Sequence, residues 1–368
     1  MGYRHISGTS LTDAQQRVLD AVVRLGSASP HQIWDMLQPG LGKVMIQRHL
    51  KALASKGLVK KVGSPPRVYY LATTTTADGV GEQSQVEALA VSAVQQSVLQ
   101  RAFGFDADFT LYRGEEAFKR WFYAKQVPML RRQRSSKLDF AEQLQGNFYK
   151  LLAAYIELRQ GMDQSTDAAL GLIDATDRYR SIHHSQAISR VFYQDFYSLP
   201  QFGKTLLGLT VQKAKVGEES SLPYINELAS LLQVSLPKLV ATLQCDGCIW
   251  VPHTIRRNYA LQDILKRSVH LAVKQVGIVK VVAGDVVPQK SISELDQRLN
   301  NARLTNHISE SPLTLRKLNS VLMIDDAIGS NATMQAIACK LKAAHPSLKI
   351  YAFAVVGSFK GFDVIRDI

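Results

Sequence analysis

Apolar residues near the start of the chain recur at helical spacing in three successive segments. Residues 11–26 form the first, and Ser29 followed by Pro30 has the composition of an N-cap and first turn of a second helix. A third helix is predicted over residues 43–56, closed by a C-cap glycine. Two short strands around a Gly-Ser-Pro-Pro turn follow. Residues 1–72 are therefore predicted to form three helices and a β-hairpin.

The middle of the chain has weaker patterns. Residues 73–85 have the composition of a linker, and residues 86–220 show helical periodicity with many aromatic side chains, which predicts a helical region of unknown role. Residues 221–249 have the rhythm of a helix-turn-helix, with the turn expected at residues 233–234. The second of these helices carries little positive charge, which favours a structural helical pair or a degenerate motif.

The last part of the chain, residues 250–368, is predicted to be an α/β domain with a parallel sheet. The continuous apolar run over residues 321–324 is typical of a buried parallel strand. Asp325 and Asp326 follow it, then small residues, then a helix from Thr333. A strand, a small-residue loop and a helix N-terminus together make an anion site. The two carboxylates suit the vicinal hydroxyls of a ribose rather than its phosphate.

Positive charge is concentrated at the start of the chain. The formal net charge is +13, and residues 1–72 hold ten Lys and Arg against three Asp, which leaves +7 in that segment. A concentrated basic field attracts a polyanion such as nucleic acid.

The composition is that of a globular protein, with 46% hydrophobic and 20% charged residues. No apolar run approaches the roughly 18 residues that span a bilayer, so no membrane partner is expected. The first residues have no signal-peptide pattern, and three cysteines do not suggest a disulfide framework. We therefore expect a cytoplasmic protein of several domains.

The segment IQRHLKALASKGLVKKVGSPPRVYYL resembles the winged-helix superfamily, and the resemblance covers residues 11–72. It implies that the third helix enters the major groove of DNA and that the hairpin contacts the backbone. The candidate DNA-binding residues are Lys43, Gln47, Arg48, Lys51 and Arg67. The alternative is a winged helix that contacts another protein.

The segment VLMIDDAIGSNATMQAIACKLK resembles the phosphoribosyl pyrophosphate (PRPP) signature of type I phosphoribosyltransferases. The resemblance implies that Asp325 and Asp326 hold the ribose 2- and 3-hydroxyls. It also implies a 5-phosphate loop, formed by Gly329, Ser330, Asn331, Ala332 and Thr333. Mg²⁺ would arrive with PRPP rather than in a protein cage. Gly-Ser-Asn stands where the family usually has Thr-Thr-Gly, which favours binding over full catalysis.

Residues 250–368 also resemble competence-type amidophosphoribosyltransferase-like proteins, in which a mobile loop carries Arg-x-x-Asn. Two registers fit, Arg298 with Asn301 or Arg303 with Asn306, and distance from the following strand favours the second. The resemblance gives this arginine a catalytic role at the pyrophosphate leaving group.

Cys245 and Cys248 have C-x-x-C spacing, which fits a zinc or redox site as well as a turn between a helix and a strand. Zinc needs two further ligands, so the turn is the favoured interpretation.

These patterns favour a multi-domain transcriptional regulator: a winged helix, a helical middle and an α/β phosphoribosyltransferase fold. We expect it to bind DNA and PRPP or a nucleotide, as a homodimer. One alternative is an active Mg²⁺-dependent phosphoribosyltransferase acting on a nitrogen acceptor. Another is a DNA-processing or defence adaptor that uses both modules as binding surfaces.

Overall fold

The computed structural model describes residues 11–25, 27–38, 40–62, 69–72, 77–132, 140–163, 165–253, 257–281, 292 and 294–359. The chain divides into two compact units. One contains Met1–Ala90 and Lys125–Gly146, and the other contains Val91–Ala124 and Asn147–Ile368.

The first unit opens with helices and short strands in the predicted order. They are α1 (Asp13–Leu25), β1 (Ser27–Ala28), α2 (Pro30–Leu37), α3 (Lys43–Ser55), β2 (Val59–Val62) and β3 (Tyr69–Ala72). The side chain of Ser29 caps α2 in a capping box with Gln32. The three helices share a core in which Val18, Ile33 and Leu50 are fully buried. Strand β3 pairs antiparallel with both β1 and β2. The three helices and two strands predicted here are confirmed.

Part of the predicted linker is a helix. Helix α4 (Ala77–Glu87) overlaps most of residues 73–85. The Glu82 carboxylate accepts a hydrogen bond from Arg131 Nε (2.9 Å) on α7 (Val127–Arg132), in the same unit. The linker prediction is wrong for these residues, because a helix with so few apolar residues has no periodicity to detect.

The second unit is larger and mixes helices with strands. Its first half contains α5 (Ala93–Ala102), β4 (Gly104–Ala107), β5 (Thr110–Arg113), α6 (Gly114–Lys125, which ends in the first unit), α8 (Phe140–Asp163, which begins there), β6 (Thr166–Asp167), β7 (Leu172–Asp174), α9 (Thr176–His183), β8 (Arg190–Phe196), β9 (Ser198–Leu199) and β10 (Gly203–Lys204). Its second half contains α10 (Leu206–Ala214), a 3-10 turn (Glu219–Ser221), α11 (Leu222–Thr242), β11 (Gly247–Trp250), α12 (Leu261–Ser268), β12 (Lys274–Gln275), β13 (Ile278–Lys280), α13 (Leu295–Thr305), β14 (Asn306–Ile308), α14 (Pro312–Leu315), β15 (Ser320–Ile328), α15 (Ala332–Ala344) and β16 (Lys349–Gly357).

A seven-stranded sheet, in the order β12-β11-β15-β16-β8-β7-β6, is the centre of this unit. Strands β12, β11, β15, β16 and β8 are parallel, and β7 and β6 continue the sheet antiparallel. The predicted α/β arrangement with a mostly parallel sheet is confirmed.

The sheet contains strands from both sides of the domain boundary predicted at residue 250. Strands β6, β7 and β8 come from the region predicted as helical, and β11 lies directly before the boundary. Phe192 and Tyr193 are both fully buried on β8, so apolar side chains cover both faces of this strand. A strand buried on both faces shows no alternation, which is why the sequence pattern did not reveal it.

The segment predicted as a helix-turn-helix is one continuous helix, so that prediction is wrong. Helix α11 passes through residues 233–234 without a turn, and Ile225, Leu232 and Leu239 are fully buried along it. The Ser235 hydroxyl donates to the Leu231 carbonyl within the same helix (3.3 Å).

The core of the second unit lies between the sheet and helices α10, α11 and α12. Leu322 and Ile324, which alternate along β15, and Phe353 of β16 face this layer. Helix α15 packs against α13 and β14. The layers position the strand ends at which the cavity described below opens.

Helix α10 lies close to the backbone of Tyr197, between β8 and β9, at Gly208. A Cβ at this position would lie 2.0 Å from the Tyr197 carbonyl oxygen, whereas one at Gly161, exposed on α8, would meet nothing within 4 Å. We expect Gly208→Ala to destabilise the protein by about 1–3 kcal/mol through overpacking. Gly161→Ala should stabilise it by about 0.5–1 kcal/mol through helix propensity. Urea unfolding followed by circular dichroism measures both, and equal shifts of the two midpoints would contradict the close packing.

Candidate functional site

A cavity of about 430 Å³ opens at the carboxyl ends of β11 and β15. After β11 the chain runs through α12 to β12 on one side, and after β15 it runs through α15 to β16 on the other. The two connections diverge, so they leave a crevice between the strand ends. In parallel α/β sheets this is the place where ligands bind.

The predicted phosphate loop forms one wall of this cavity. Strand β15 extends to Ile328, further than expected, so the loop is only residues 329–331 before α15 begins at Ala332. Residues 329–333 all line the cavity. Their position at the N-terminus of a 13-residue helix favours an anion.

Asn331 has the backbone conformation that lets the loop turn into the helix. Its φ is 57°, the left-handed region that asparagine tolerates better than most residues. Its side chain makes no capping bond to α15 and is only 6% exposed. Neither amide atom has a hydrogen-bond partner within the part of the chain that the structure describes. A buried amide in a cavity wall is suited to contact a polar ligand.

The two predicted carboxylates lie side by side in the same cavity. Asp325 Oδ1 accepts hydrogen bonds from Gln262 Nε2 (2.6 Å) and from the Asp326 backbone N–H (2.8 Å). Asp326 Oδ1 accepts from Lys215 Nζ (2.7 Å), and this ion pair is largely buried. Burial and the adjacent charge of Asp326 raise the pKa of Asp325 to about 7, against the opposing effect of Lys215 and Lys280.

Several cavity residues were not found by sequence reasoning. Lys215, Gln262 and Lys280 come from α10, α12 and β13, and Arg257 and His253 also line the cavity. Burial lowers the pKa of Lys280, and the charge of Asp325 partly offsets this. None of them belongs to a local motif, since each reaches the cavity only through the packing of its own element.

Of the two arginines given a catalytic role, Arg298 lines the cavity and Arg303 does not. Arg298 is 6% exposed, and its guanidinium donates to Ser330 Oγ (3.2 Å) and the Ile292 carbonyl (2.6 Å). Arg303 lies on the exposed side of the same helix, α13. The register favoured by sequence distance is therefore not the one that faces the phosphate loop.

His183 on α9 contacts the predicted phosphate loop. Its Nε2 lies 2.8 Å from the Ser330 carbonyl oxygen, and burial lowers the pKa of this histidine, an effect that the Ser330 carbonyl partly offsets. One turn earlier on α9, the buried side chain of Tyr179 is hydrogen-bonded to the buried side chain of Gln335 on α15. Helix α9 and helix α15 together fix the loop's position.

In the first unit, helix α3 has one buried and one exposed face. Ile46 and Leu50 are buried, whereas the candidate DNA-binding side chains on this helix are exposed: Lys43, Gln47, Arg48 and Lys51. Lys43 Nζ lies 4.0 Å from the ring centre of Trp34, and Val44 is 73% exposed. Arg67 lies outside the described residues. The exposed face combines cations with side chains able to contact base edges.

The C-x-x-C pair is part of the hydrophobic core. Cys245 and Cys248 are both buried as free thiols in the layer between the sheet and the helices. Burial raises the pKa of Cys245 to about 12 and that of Cys248 to about 11, which keeps both thiols protonated. Their arrangement matches the turn between α11 and β11 rather than a reactive pair.

The cavity does not fit a Mg²⁺ ion held by the chain itself. No group of three or more His, Cys, Asp or Glu side chains that could hold a metal occurs among the described residues. The Oδ1 atoms of Asp325 and Asp326 already accept hydrogen bonds from Gln262 and Lys215. Mg²⁺ prefers an octahedron of oxygen ligands, mostly carboxylates, phosphates and water.

Comparison of the chain with known protein families gives no match, and comparison with curated proteins finds no similar sequence. Within the described residues, no helix has both the length and the apolar character needed to span a bilayer. Any function must therefore be argued from the geometry of the two surfaces above.

The raised pKa of Asp325 has a consequence for stability. The folded chain binds more protons than the unfolded chain between about pH 4 and about pH 7, so the contribution of Asp325 to stability falls as the pH rises through this range. We expect Asp325→Asn to raise the thermal unfolding midpoint at about pH 8 and to change it less at about pH 5. Differential scanning calorimetry at both pH values measures the effect.

Asp246 provides a control with the opposite sign. Although burial raises it, the N–H donors of Asn319 and Ser320 lower the pKa of Asp246 overall, so its carboxylate stabilises the fold above its unfolded pKa. Asp246→Asn should lower the midpoint at both pH values. A lower midpoint for Asp325→Asn at the higher pH would refute the electrostatic account.

Proposed function

We propose that this protein is a DNA-binding regulator whose second unit binds a 5-phosphoribosyl ligand, either PRPP or a nucleotide. The proposal rests on the set of residues that line one cavity. A loop at a helix N-terminus, a buried amide at Asn331 and the carboxylates of Asp325 and Asp326 all line it. A phosphate on a ribose with free 2- and 3-hydroxyls presents the complementary groups.

Each part of such a ligand has a chemical counterpart in the lining. The backbone N–H groups of the loop and the hydroxyls of Ser330 and Thr333 suit the phosphate oxygens. The carboxyl oxygens of Asp325 and Asp326 can accept hydrogen bonds from the ribose hydroxyls. The ammonium groups of Lys215 and Lys280 compensate the charge of further phosphates.

The first unit supports the DNA part of the proposal. We interpret its helices and strands as a winged helix in which α3 enters the major groove. The exposed Arg48 and Lys51 suit backbone phosphates, and Gln47 suits the edge of an adenine. A regulator of this kind would use ligand binding in the second unit to change its affinity for DNA, which requires that the ligand bind two states unequally. The homodimer expected from the sequence stays a prediction.

A second candidate is an active phosphoribosyltransferase, favoured by the buried Arg298 beside the phosphate loop. An acceptor nitrogen would bond to C1 of PRPP and lose a proton, while the C1–O bond breaks and pyrophosphate leaves with the bonding electron pair. The guanidinium would stabilise the charge of the leaving group. Pyrophosphate release from PRPP with ammonium or a nucleobase separates this enzyme from a regulator that only binds.

The ligand site is tested by calorimetric titration of the full chain with PRPP. We expect Asn331→Gly to weaken binding about tenfold, because glycine keeps the positive φ but removes the buried amide. The matched control is Gln201→Gly, which replaces an exposed amide at φ 69° outside the cavity lining and should not change affinity. Asp325→Ala/Asp326→Ala should abolish binding through loss of the hydroxyl acceptors. Absence of binding by the unaltered chain would refute the ligand proposal.

The DNA site is tested by the salt dependence of binding to a duplex of mixed sequence. Removing one phosphate contact should reduce the slope of log K against log salt by about 0.9. We expect this for Arg48→Ala and for Lys51→Ala, measured by fluorescence anisotropy. Lys150→Ala, which removes an exposed charge from α8, is the control and should leave the slope unchanged. Equal slopes for all four proteins would exclude α3 as the DNA-binding surface and favour its use for protein contacts.

A further inference from the structure

The carboxylate pair in the cavity already has a positively charged partner of its own. Lys215 Nζ lies 2.7 Å from Asp326 Oδ1, with the Lys215 side chain about a quarter exposed and that of Asp326 about a tenth. Pairs as buried as this are screened by salt much less than surface pairs. Lys215 is the C-cap residue of α10, where the helix dipole favours a cation. The ammonium is therefore held at the carboxylate rather than sampling solvent.

The balance of charged side chains in the cavity also favours an anionic ligand over a metal cation. Among the described residues that line it, four are cationic and two are carboxylates: Lys215, Arg257, Lys280, Arg298, Asp325 and Asp326. Divalent-cation sites have the reverse balance, with oxygen ligands of net negative charge. The surplus of positive charge here is matched to the phosphates of an anionic ligand.

We propose that this cavity binds its phosphoribosyl ligand without a divalent cation, because Lys215 brings to Asp326 the positive charge that Mg²⁺ would otherwise supply. The inference rests on the proposed function and departs from the expectation that Mg²⁺ accompanies PRPP. In this arrangement the ammonium of Lys215 holds the Asp326 carboxylate in position for a ribose hydroxyl. Lys215 and Lys280 take part in neutralising the phosphates, and Gln262 holds Asp325 in place.

The experiment is calorimetric titration of the full chain with PRPP, once with excess EDTA and once with millimolar MgCl₂. The unaltered protein should bind with affinities that agree within about threefold in the two buffers. Lys215→Met, which keeps the length of the side chain but removes its charge, should lose at least about tenfold in EDTA and recover in MgCl₂. Lys215→Arg, which keeps the charge, should still bind in EDTA.

Lys213→Met is the matched control, since Lys213 lies on the same helix but pairs with Asp106 (3.0 Å) and does not line the cavity. It should bind as the unaltered protein does in both buffers. Thermal unfolding of each variant shows whether it is folded, and Lys215→Arg keeps the test valid if Lys215→Met is not.

Two results would overturn the inference while leaving the proposed function intact. One is binding by the unaltered protein that disappears in EDTA and returns with MgCl₂. The other is a folded Lys215→Met variant that binds in EDTA as tightly as the unaltered protein. Absence of binding in both buffers would instead refute the ligand site itself, and the inference with it.

Discussion

Strands β11 and β15 pair in parallel over four residues, and the cavity opens at the carboxyl ends of this pair. Gly247 allows the close approach, since a Cβ there would lie 3.0 Å from Val321 Cγ1. At the amino ends of the strands, the Asp246 carboxylate accepts the backbone N–H groups of Asn319 and Ser320, which fixes the register. At the carboxyl ends the chain departs in opposite directions, so a crevice remains where the sheet alone would present a flat edge.

The two carboxylates of this crevice are unfavourable to bury side by side, and neighbouring lysines and an amide compensate for this. Burial raises the pKa of Asp325, and the adjacent charge of Asp326 raises it further. Lys215 and Lys280 provide the opposing charge, and Gln262 provides an amide donor. Groups with perturbed pKa values in a cleft are typical of functional sites, because a bound ligand can supply charges and hydrogen bonds that complement these groups. The buried amide of Asn331 belongs to the same pattern.

The two units carry positive charge in different forms. On α3 the cations are exposed along one face of a helix, a distribution suited to an extended polyanion. In the second unit they line a cavity that also holds carboxylates, a distribution suited to a small ligand with both phosphate and hydroxyl groups. Since neither a known protein family nor a curated protein matches the chain, the proposal of different partners for the two units rests on these contrasting geometries.

Features that depend on neighbouring residues along the chain could be predicted from the amino-acid sequence. Helices α1 to α3 follow from caps and apolar periodicity, and the route from β15 through the small-residue loop into α15 follows from an apolar run and the residues after it. Features that depend on packing between distant elements became visible in the three-dimensional structure. It assigned β8 to the sheet, because a strand buried on both faces has no alternating pattern. Arg298 rather than Arg303 faces the predicted phosphate loop, because the packing of α13 against α15 sets the orientation of α13. The structure also shows Lys215 beside Asp326, more than a hundred residues away along the chain. Local sequence spacing does not predict this ion pair, because the strength of a charge interaction depends on spatial distance and burial.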